Sequence, residues 1–563
     1  MLTTSFLRVY NKIKQKNRND FHDVEREVLS MSYSKGMNAT GSTNSKNRTP
    51  GSVSPFSGMC STCTGDCFGM CEVGKSAYRG REMLYPQPFG TTTFASEKDY
   101  PVDYSHFNIM GTAVGAVGIE PDSDKAIFHN ARTGVTFGAK NDLKVKLPVV
   151  IPGMGSTKVA ADNWEALAAG AAASGVVLVI GENICGMDSG AQFKDGRVTK
   201  SPDLERRVES FNKWYNGYGA IAVQVNVEDT GFGVAEYAIK KLGVKAIELK
   251  WGQGAKSIGG EVKIDNLQKA LELRSRGYLV YPDPEDPKVQ DLFKKGAIRE
   301  FERHSRIGMV KPETFLARVR ELREMGAKHI FLKTGAYRPR DLANAIKLAS
   351  EAKLDLLTID GAGGGTGMSP WRMMNEWGIP TTYLAALAYK YMQILDESSN
   401  YLPAVAIAGG FTLEDHLFKT LALGAPYFKL VGMARAPLTA AMVGSNLGRS
   451  IEKGTLAASV SRSYGMTVDE VFACSHELKD AMGPEFANFP TGAMGVYSYF
   501  ERLNIGLQQL MTGARKFSVE YIQRDDIAAL TKEAAALTGI KYITELDSLD
   551  AEEILKRRLT AVM

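Results

Sequence analysis

From Leu147 onward, short apolar runs alternate with stretches whose apolar residues recur at helical spacing, the pattern of repeated strand–helix units. The runs are LPVVIPG (147–153), VVLVIGE (176–182), AIAVQVN (220–226), AIELKWG (246–252), HIFLKTG (329–335), LLTIDG (356–361), AVAIAGG (404–410) and YFKLVG (427–432). Segments such as NWEALAAGAAAS, GVAEYAIKKLG, FLARVRELREMG, DLANAIKLASEA and LEDHLFKTLALG supply helices between them. Eight strands with intervening helices predict an α/β fold, a closed (β/α)8 TIM barrel over residues 147–440. An open doubly wound sheet is the alternative. A ninth run, GYLVYPDP (277–284), reads as part of an insertion after the fourth strand, and WRMMNEWGIPTTYLAALAYKYMQIL as a core-facing helix.

The ends of these runs carry the candidate chemistry. Most close on glycine beside a polar residue: Pro152-Gly153-Met154, Gly181-Glu182, Gln224, Glu248 and Lys250, Lys333-Thr334-Gly335, Asp360-Gly361, Gly409-Gly410 and Gly432-Met433. Strand C-terminal ends line the working face of a barrel, so these residues are expected to converge. The stretch LLTIDGAGGGTGMSP (356–370) leads a buried strand into a glycine loop, which lets a ligand approach the backbone. The Gly-Gly and Gly-Met ends after the seventh and eighth strands predict a phosphate cradle of backbone N–H groups, with Arg435 adding charge.

Bulk properties narrow the class. The 563 residues are 44% hydrophobic and 23% charged, with a net charge of +5. That charge is too weak for a nucleic-acid groove or a polybasic membrane patch. No apolar run reaches 18 residues and no secretory signal stands out, so a cytoplasmic, reducing location is expected. A Ser/Thr/Asn/Gly-rich linker (35–58) leads to CSTCTGDCFGMC, where Cys60, Cys63, Cys67 and Cys71 form a C-x2-C-x3-C-x3-C array. Four close thiolates suit one metal centre, a [4Fe–4S] cluster or zinc, with local disulfides or free thiols as the bland alternative. The expected layout is a tail (1–58), a cysteine-cluster segment and collar (59–146), the barrel, and a helical C-terminal extension (441–563). Cys185, in the loop after the second strand, reads as a buried or incidental thiol, and Cys474, in a helical stretch, carries no functional reading.

Taken in order, these motifs resemble the FMN-binding domain of glutamate synthase. WGQGAKSIGGEVKI (251–264) is similar to its Gln-Gly-Ala-Lys…Gly-Gly segment, and IDGAGGGTGMSP to its Gly-Gly-Thr-Gly-x-Ser-Pro loop. VIGENICG stands where the family has Gly-Glu-Gly-Gly, and AIAGGFTLEDHLFKTLALGAPYFKLVG matches its phosphate-binding end. The resemblance implies FMN held by Pro152, Gly153, Met154, Gly181, Gln224 and Lys250, with its phosphate at Gly409, Gly410, Gly432 and Met433. It places Gln253 and Lys256 in the Gln-Gly-Ala-Lys loop, and Gly364, Gly365, Thr366 and Gly367 beside the flavin. A flavin-facing Cys185 is the alternative to the buried or incidental thiol. A cation such as Lys250 or Lys333 would stabilise anionic reduced flavin, Lys333 or Lys256 would hold a substrate carboxylate, and Glu182 would move a proton on or off an imine.

The expected activity is FMN- and iron–sulfur-dependent reduction of an imine formed from a 2-oxo acid and an amine, or the reverse oxidation of an amino acid. The electron donor would be ferredoxin or another subunit, and the chain a homo-oligomer. A non-catalytic electron-transfer subunit is the alternative. Two departures stand out. The family's cluster cysteines after the last strand are missing from GMARAPLTAAMVGSNLG, so the Cys60–Cys71 array would supply a replacement cluster. The glycine loop lacks the His-Asp pair common before Gly-Gly-Thr-Gly, having Gly361-Ala362-Gly363 instead.

Overall fold

The computed structural model describes residues 100–254, 261–362, 364, 369–398 and 400–557. Three short strands precede the barrel: β1 (Phe107–Ile109), β2 (Val135–Phe137) and β3 (Leu143–Val145). Barrel strands β4 (Val149–Met154) and β5 (Val177–Ile180) follow, then a hairpin of β6 (Gln192–Lys194) and β7 (Arg197–Lys200). Strands β8 (Ala220–Val225) and β9 (Ala246–Lys250) return to the barrel. An insertion then contributes β10 (Glu261–Ile264), β11 (Leu279–Tyr281) and β12 (Phe301–His304), a separate antiparallel sheet in the order β10-β12-β11. The barrel finishes with β13 (His329–Thr334), β14 (Leu356–Asp360), β15 (Ala404–Ala408) and β16 (Phe428–Gly432), and β17 (Ile527–Ala529) lies near the C-terminus.

Strands β4, β5, β8, β9, β13, β14, β15 and β16 pair in parallel and close on themselves, β16 returning to β4. Each of the eight apolar runs is one barrel strand. They read as continuous apolar runs because both faces are buried. Outward positions such as Ile151, Leu178, Val223, Ile247, Leu332, Ile359, Ile407 and Val431 meet the surrounding helices. Inward positions Val150, Val177, Val179, Ala222, Ala246, Phe331, Leu356, Ala406 and Leu430 fill the lumen. Phe137, Leu143 and Val145 from the β2–β3 hairpin join that inner cluster and plug its N-terminal end. One or two inward positions further along seven of the eight strands, the side chains change character: Pro152, Gly181, Gln224, Glu248, Lys333, Asp360 and Gly432; β15 keeps Ala408 there and changes at Gly409-Gly410 just beyond. That switch from apolar filling to polar and glycine residues creates the mouth.

Three expectations are corrected. The C-terminal extension is not purely helical: β17 pairs antiparallel with β1, Phe107 opposite Ala529, tying the collar to the end of the chain. The break expected after residue 440 falls inside a continuous helix, Arg435–Glu452. The stretch read as one helix after the glycine loop is two, Trp371–Asn375 and Thr381–Glu397. Between them Gly378 takes a left-handed φ of +79° and Pro380 caps the second helix. The tail and the cysteine array lie outside the described residues. Within them, no helix is long and apolar enough to cross a membrane.

The long helix Thr491–Gly513 lies across Trp164–Ser174 and Arg435–Glu452 through small residues. A Cβ on Gly444 would sit 2.6 Å from the Thr491 carbonyl oxygen, so these backbones touch with no room for a side chain. This bracing holds the helix that follows β16 against the barrel.

Candidate active site

Two ion pairs line the mouth. Lys250, at the end of β9, donates from Nζ to Glu182 Oε1 (2.7 Å) and to Gln253 Oε1 (2.8 Å). Its side chain is 11% exposed and that of Glu182 17%, so the pair sits at the rim. Deeper in the lumen, Lys333 Nζ lies 3.1 Å from Asp360 Oδ2, on the adjacent strand. Gln224 Nε2 donates to Glu248 Oε1 at 2.5 Å, while Glu248 Oε2 is buried without a hydrogen-bond partner. Glu248 and Lys333 are both buried. Burial pushes the Glu248 carboxyl up, against the opposing pull of Lys333, Gln224 and Lys250. Burial alone would lower Lys333, but Asp360 and Glu248 outweigh it and hold the ammonium above its ordinary range. The mouth therefore presents three carboxylates and two lysines packed around one lumen.

Glycines form the rest of the wall. A Cβ on Gly153 would lie 2.8 Å from the Gln224 amide, and one on Gly181 would lie 2.7 Å from the Gly155 Cα. Gly181 N donates to the Met154 carbonyl at 2.8 Å, closing the first two strand ends onto each other. Across the mouth, Gly409 and Gly410 have φ of +128° and +108°, a backbone that side chains resist. Gly409 is fixed by Thr381, whose Oγ1 donates to its carbonyl at 2.8 Å. Gly432 leaves room for Ala408 Cβ, and Met433 N donates to the Val150 carbonyl at 3.0 Å. Gly364 N donates to the Gly361 carbonyl at 2.9 Å, and a Cβ there would run into the Asp360 carboxylate.

Of the residues singled out in the sequence, Glu182, Gln224, Lys250, Gln253 and Lys333 therefore share the lumen or its rim. Pro152, Gly153, Met154, Gly181, Gly364, Gly409, Gly410, Gly432 and Met433 lie at strand ends or in the loops that follow them. Lys256, Gly365, Thr366, Gly367 and the four cysteines Cys60, Cys63, Cys67 and Cys71 lie outside the described residues. Cys185 is buried beside Ser201 and well inside the wall, and burial pushes its thiol up to about 12.

Residues 303–444 match the family model described as the conserved region in glutamate synthase. That span carries β13 to β16, with Lys333, Asp360, Gly409, Gly410, Gly432 and Met433. A glutamate synthase large subunit-like protein of Rhizobium meliloti (strain 1021) is 25% identical over 433 residues, covering 72% of this chain and 81% of that protein. The second half of the barrel is thus similar to the conserved region of glutamate synthase. Among solved structures, a mutant flavocytochrome b2 with benzoylformate aligns at TM-score 0.42 and 15% identity, over 82% of this chain and 84% of that one. A soluble mutant of the membrane-associated (S)-mandelate dehydrogenase from Pseudomonas putida aligns at TM-score 0.40 and 12% identity, over 76% and 88%. Likeness at that level does not extend to chemistry.

The sequence marks Glu248 and Asp360 as strand-end residues but gives them no role. Their signal is parity: Glu248 stands two residues before Lys250 on one strand, so both point into the lumen. Which carboxylate meets which lysine depends on the register between strands, and that is not written in either strand alone.

Proposed function

We propose that this chain is an FMN-dependent oxidoreductase of glutamate synthase type. It would reduce an imine formed from a 2-oxo acid and an amine, or run the reverse oxidation of an amino acid. The observation that carries the reading is the ion-paired rim, Lys250 with Glu182 and Gln253, set beside a wall of glycines within a barrel whose second half is similar to the conserved region of glutamate synthase.

The residues fit FMN on two counts. The backbone at Gly153, Gly181 and Gly432 is bare where a Cβ would fill the mouth or its wall, and Gly409-Gly410 turns through positive φ as phosphate-binding loops do. Pro152, Gly153, Met154, Gly181, Gln224 and Lys250 would hold the flavin, and Gly409, Gly410, Gly432 and Met433 its phosphate. Bound FMN supplies two-electron hydride chemistry. The Lys250 ammonium, held in place by Glu182, offers a cation to the electron-rich edge of a reduced flavin. Lys333, clamped by Asp360, offers a second cation to a substrate carboxylate, with Lys256 as the other candidate. Glu182 can release or take the proton that accompanies interconversion of imine and amine. Cys60, Cys63, Cys67 and Cys71 would hold a [4Fe–4S] cluster, which supplies one-electron transfer from ferredoxin or a donor subunit, and the chain would act as a homo-oligomer in the cytoplasm.

The test is a visible spectrum of anaerobically purified protein, with released flavin, iron and sulfide assayed on the same sample. About one FMN and about four irons per chain are expected for a single cubane. Zinc in place of iron removes the cluster from the reading, and absence of flavin after reconstitution with FMN removes the oxidoreductase.

A further inference from the structure

Behind Glu182, four buried polar atoms lack hydrogen-bond partners: Arg303 Nε and Nη2, Asp229 Oδ1 and Tyr278 OH. They belong to distant parts of the sequence that the fold brings together. Asp229 lies in the short helix Val227–Phe232 after β8. Tyr278 and Arg303 come from the insertion, the second of them on β12. Arg303 is fully buried, its guanidinium stacked 4.6 Å over the Tyr278 ring and its Nη1 bonded to Ser305. Next along, Arg306 pairs with Glu228 at 2.5 Å, clamping the insertion onto the barrel at this point.

Asp229 uses only half of its carboxyl. Oδ2 accepts from Asn183 N (2.9 Å) and Asn226 N (3.4 Å), fixing the turn after Glu182, where Asn183 takes a left-handed φ of +65°. Oδ1 is left over, in the electrostatic company of Arg303 and Glu182. Buried donors on an arginine and a tyrosine and a buried acceptor on an aspartate, none of them otherwise bonded, are the partners that one internal water needs.

We propose that Asp229, Arg303 and Tyr278 enclose a buried water site that serves Glu182 as a proton reservoir, making Asp229 a positioning and proton-supplying residue for the reaction proposed above. The transfer balances without any other reagent. The Asp229 carboxylic acid gives its proton through the water to the Glu182 carboxylate, leaving the Asp229 carboxylate facing the Arg303 guanidinium. The reverse transfer returns Glu182 to its charged form beside Lys250. Energetics support an exchange near neutrality. Burial raises the Asp229 acid to about 7, the Asn183 N–H pulls it down, Glu182 adds to the rise, and Arg303 and the Asn226 N–H oppose it. The charged and titratable groups around it are Glu182, Cys185, Glu228, Tyr278, Arg303 and, through Glu228, Arg306. This inference rests on the proposed reaction for its purpose, but the reservoir itself does not.

Two measurements separate the two. The first is the pH dependence of the melting temperature of the purified chain, wild type against Asp229→Asn, which keeps an acceptor for the Asn183 and Asn226 N–H groups. An acid held protonated by the fold stabilises it below the unfolded pKa and loses that contribution as pH rises to the folded value. The wild type should therefore lose melting temperature from about pH 4 to about pH 7 more steeply than Asp229→Asn. Equal slopes overturn the reservoir whatever the reaction is. The second is the pH profile of imine reduction by flavin-loaded enzyme. Asp229→Asn and Tyr278→Phe should lower kcat roughly ten-fold or more at and below about pH 7, where the wild-type acid is protonated, and less at alkaline pH, while KM moves little. Arg303→Lys should retain more activity than Arg303→Met. An unchanged kcat profile with a flattened melting slope shows a merely structural buried acid and also overturns the proposal.

Discussion

Replacing Lys333 by methionine removes the cation paired with Asp360 and close to Glu248 while keeping most of its volume. In the native chain the ammonium lies 3.1 Å from Asp360, and the two side chains are only 7% and 10% exposed, so water screens the pair weakly. Removing one partner of a buried ion pair strands the other and costs about 3–5 kcal/mol. Here two carboxylates are stranded, but they can answer by taking up a proton, and each unit of raised pKa corresponds to about 1.4 kcal/mol. Glu248, already raised by burial, is first in line once the pull of Lys333 is gone.

The sign follows. In Lys333→Met the native carboxylates bind protons more tightly than in the unfolded chain, so stability is present at low pH and lost as pH rises. Urea denaturation of the two proteins should show a deficit of roughly 3 kcal/mol or more at about pH 8, narrowing toward about pH 5. Adding Asp360→Asn should recover part of the deficit, because it removes one of the stranded charges. A deficit below about 1 kcal/mol that does not change with pH would refute the reasoning, since values of that size belong to hydrated, exposed pairs.

Three further outcomes are expected. Gly153→Ala places a methyl group 2.8 Å from the Gln224 amide, so FMN affinity measured by fluorescence titration should fall at least about ten-fold, with a smaller loss of melting temperature. Gly170→Ala gains helix propensity of about 1 kcal/mol but drives a Cβ onto Val496 and to 2.9 Å from the Ala493 carbonyl oxygen. Overpacking against backbone costs roughly 1–3 kcal/mol, so the net change in denaturation midpoint should be destabilising. Cys185, buried and with its thiol pushed up to about 12, should resist iodoacetamide at neutral pH in the folded chain and react once urea unfolds it, as peptide mass spectrometry would read.

The barrel was legible because each of its strands is buried on both faces and so advertises itself as an apolar run. The same logic hid the rest of the sheet structure. Strands β10 (EVKI) and β12 (FERH) alternate charged residues that pair with one another, Lys263 with Glu302 at 2.9 Å for example, and no apolar run marks them. The β2–β3 plug is too short to show a period, and β17 exists only because β1 lies beside it. At the site, glycines and lysines at strand ends were readable one by one from the change in residue type. The pairing of Lys333 with Asp360, and the gathering of Asp229, Tyr278 and Arg303 behind Glu182, were not. They depend on inter-strand register and on how the insertion folds back, which is decided by packing across long stretches of sequence.

The most direct test of the account is re-oxidation of the reduced flavin in a single turnover. Protein loaded with FMN and reduced anaerobically with dithionite would be mixed with a 2-oxo acid alone, ammonium alone, or both, while the flavin absorbance is followed. The account predicts fast return of the oxidised spectrum only when both are present, with an amino acid formed in proportion to flavin, and a much slower return in Glu182→Gln. Re-oxidation by neither the mixture nor preformed imines, in protein shown to hold FMN, would contradict it.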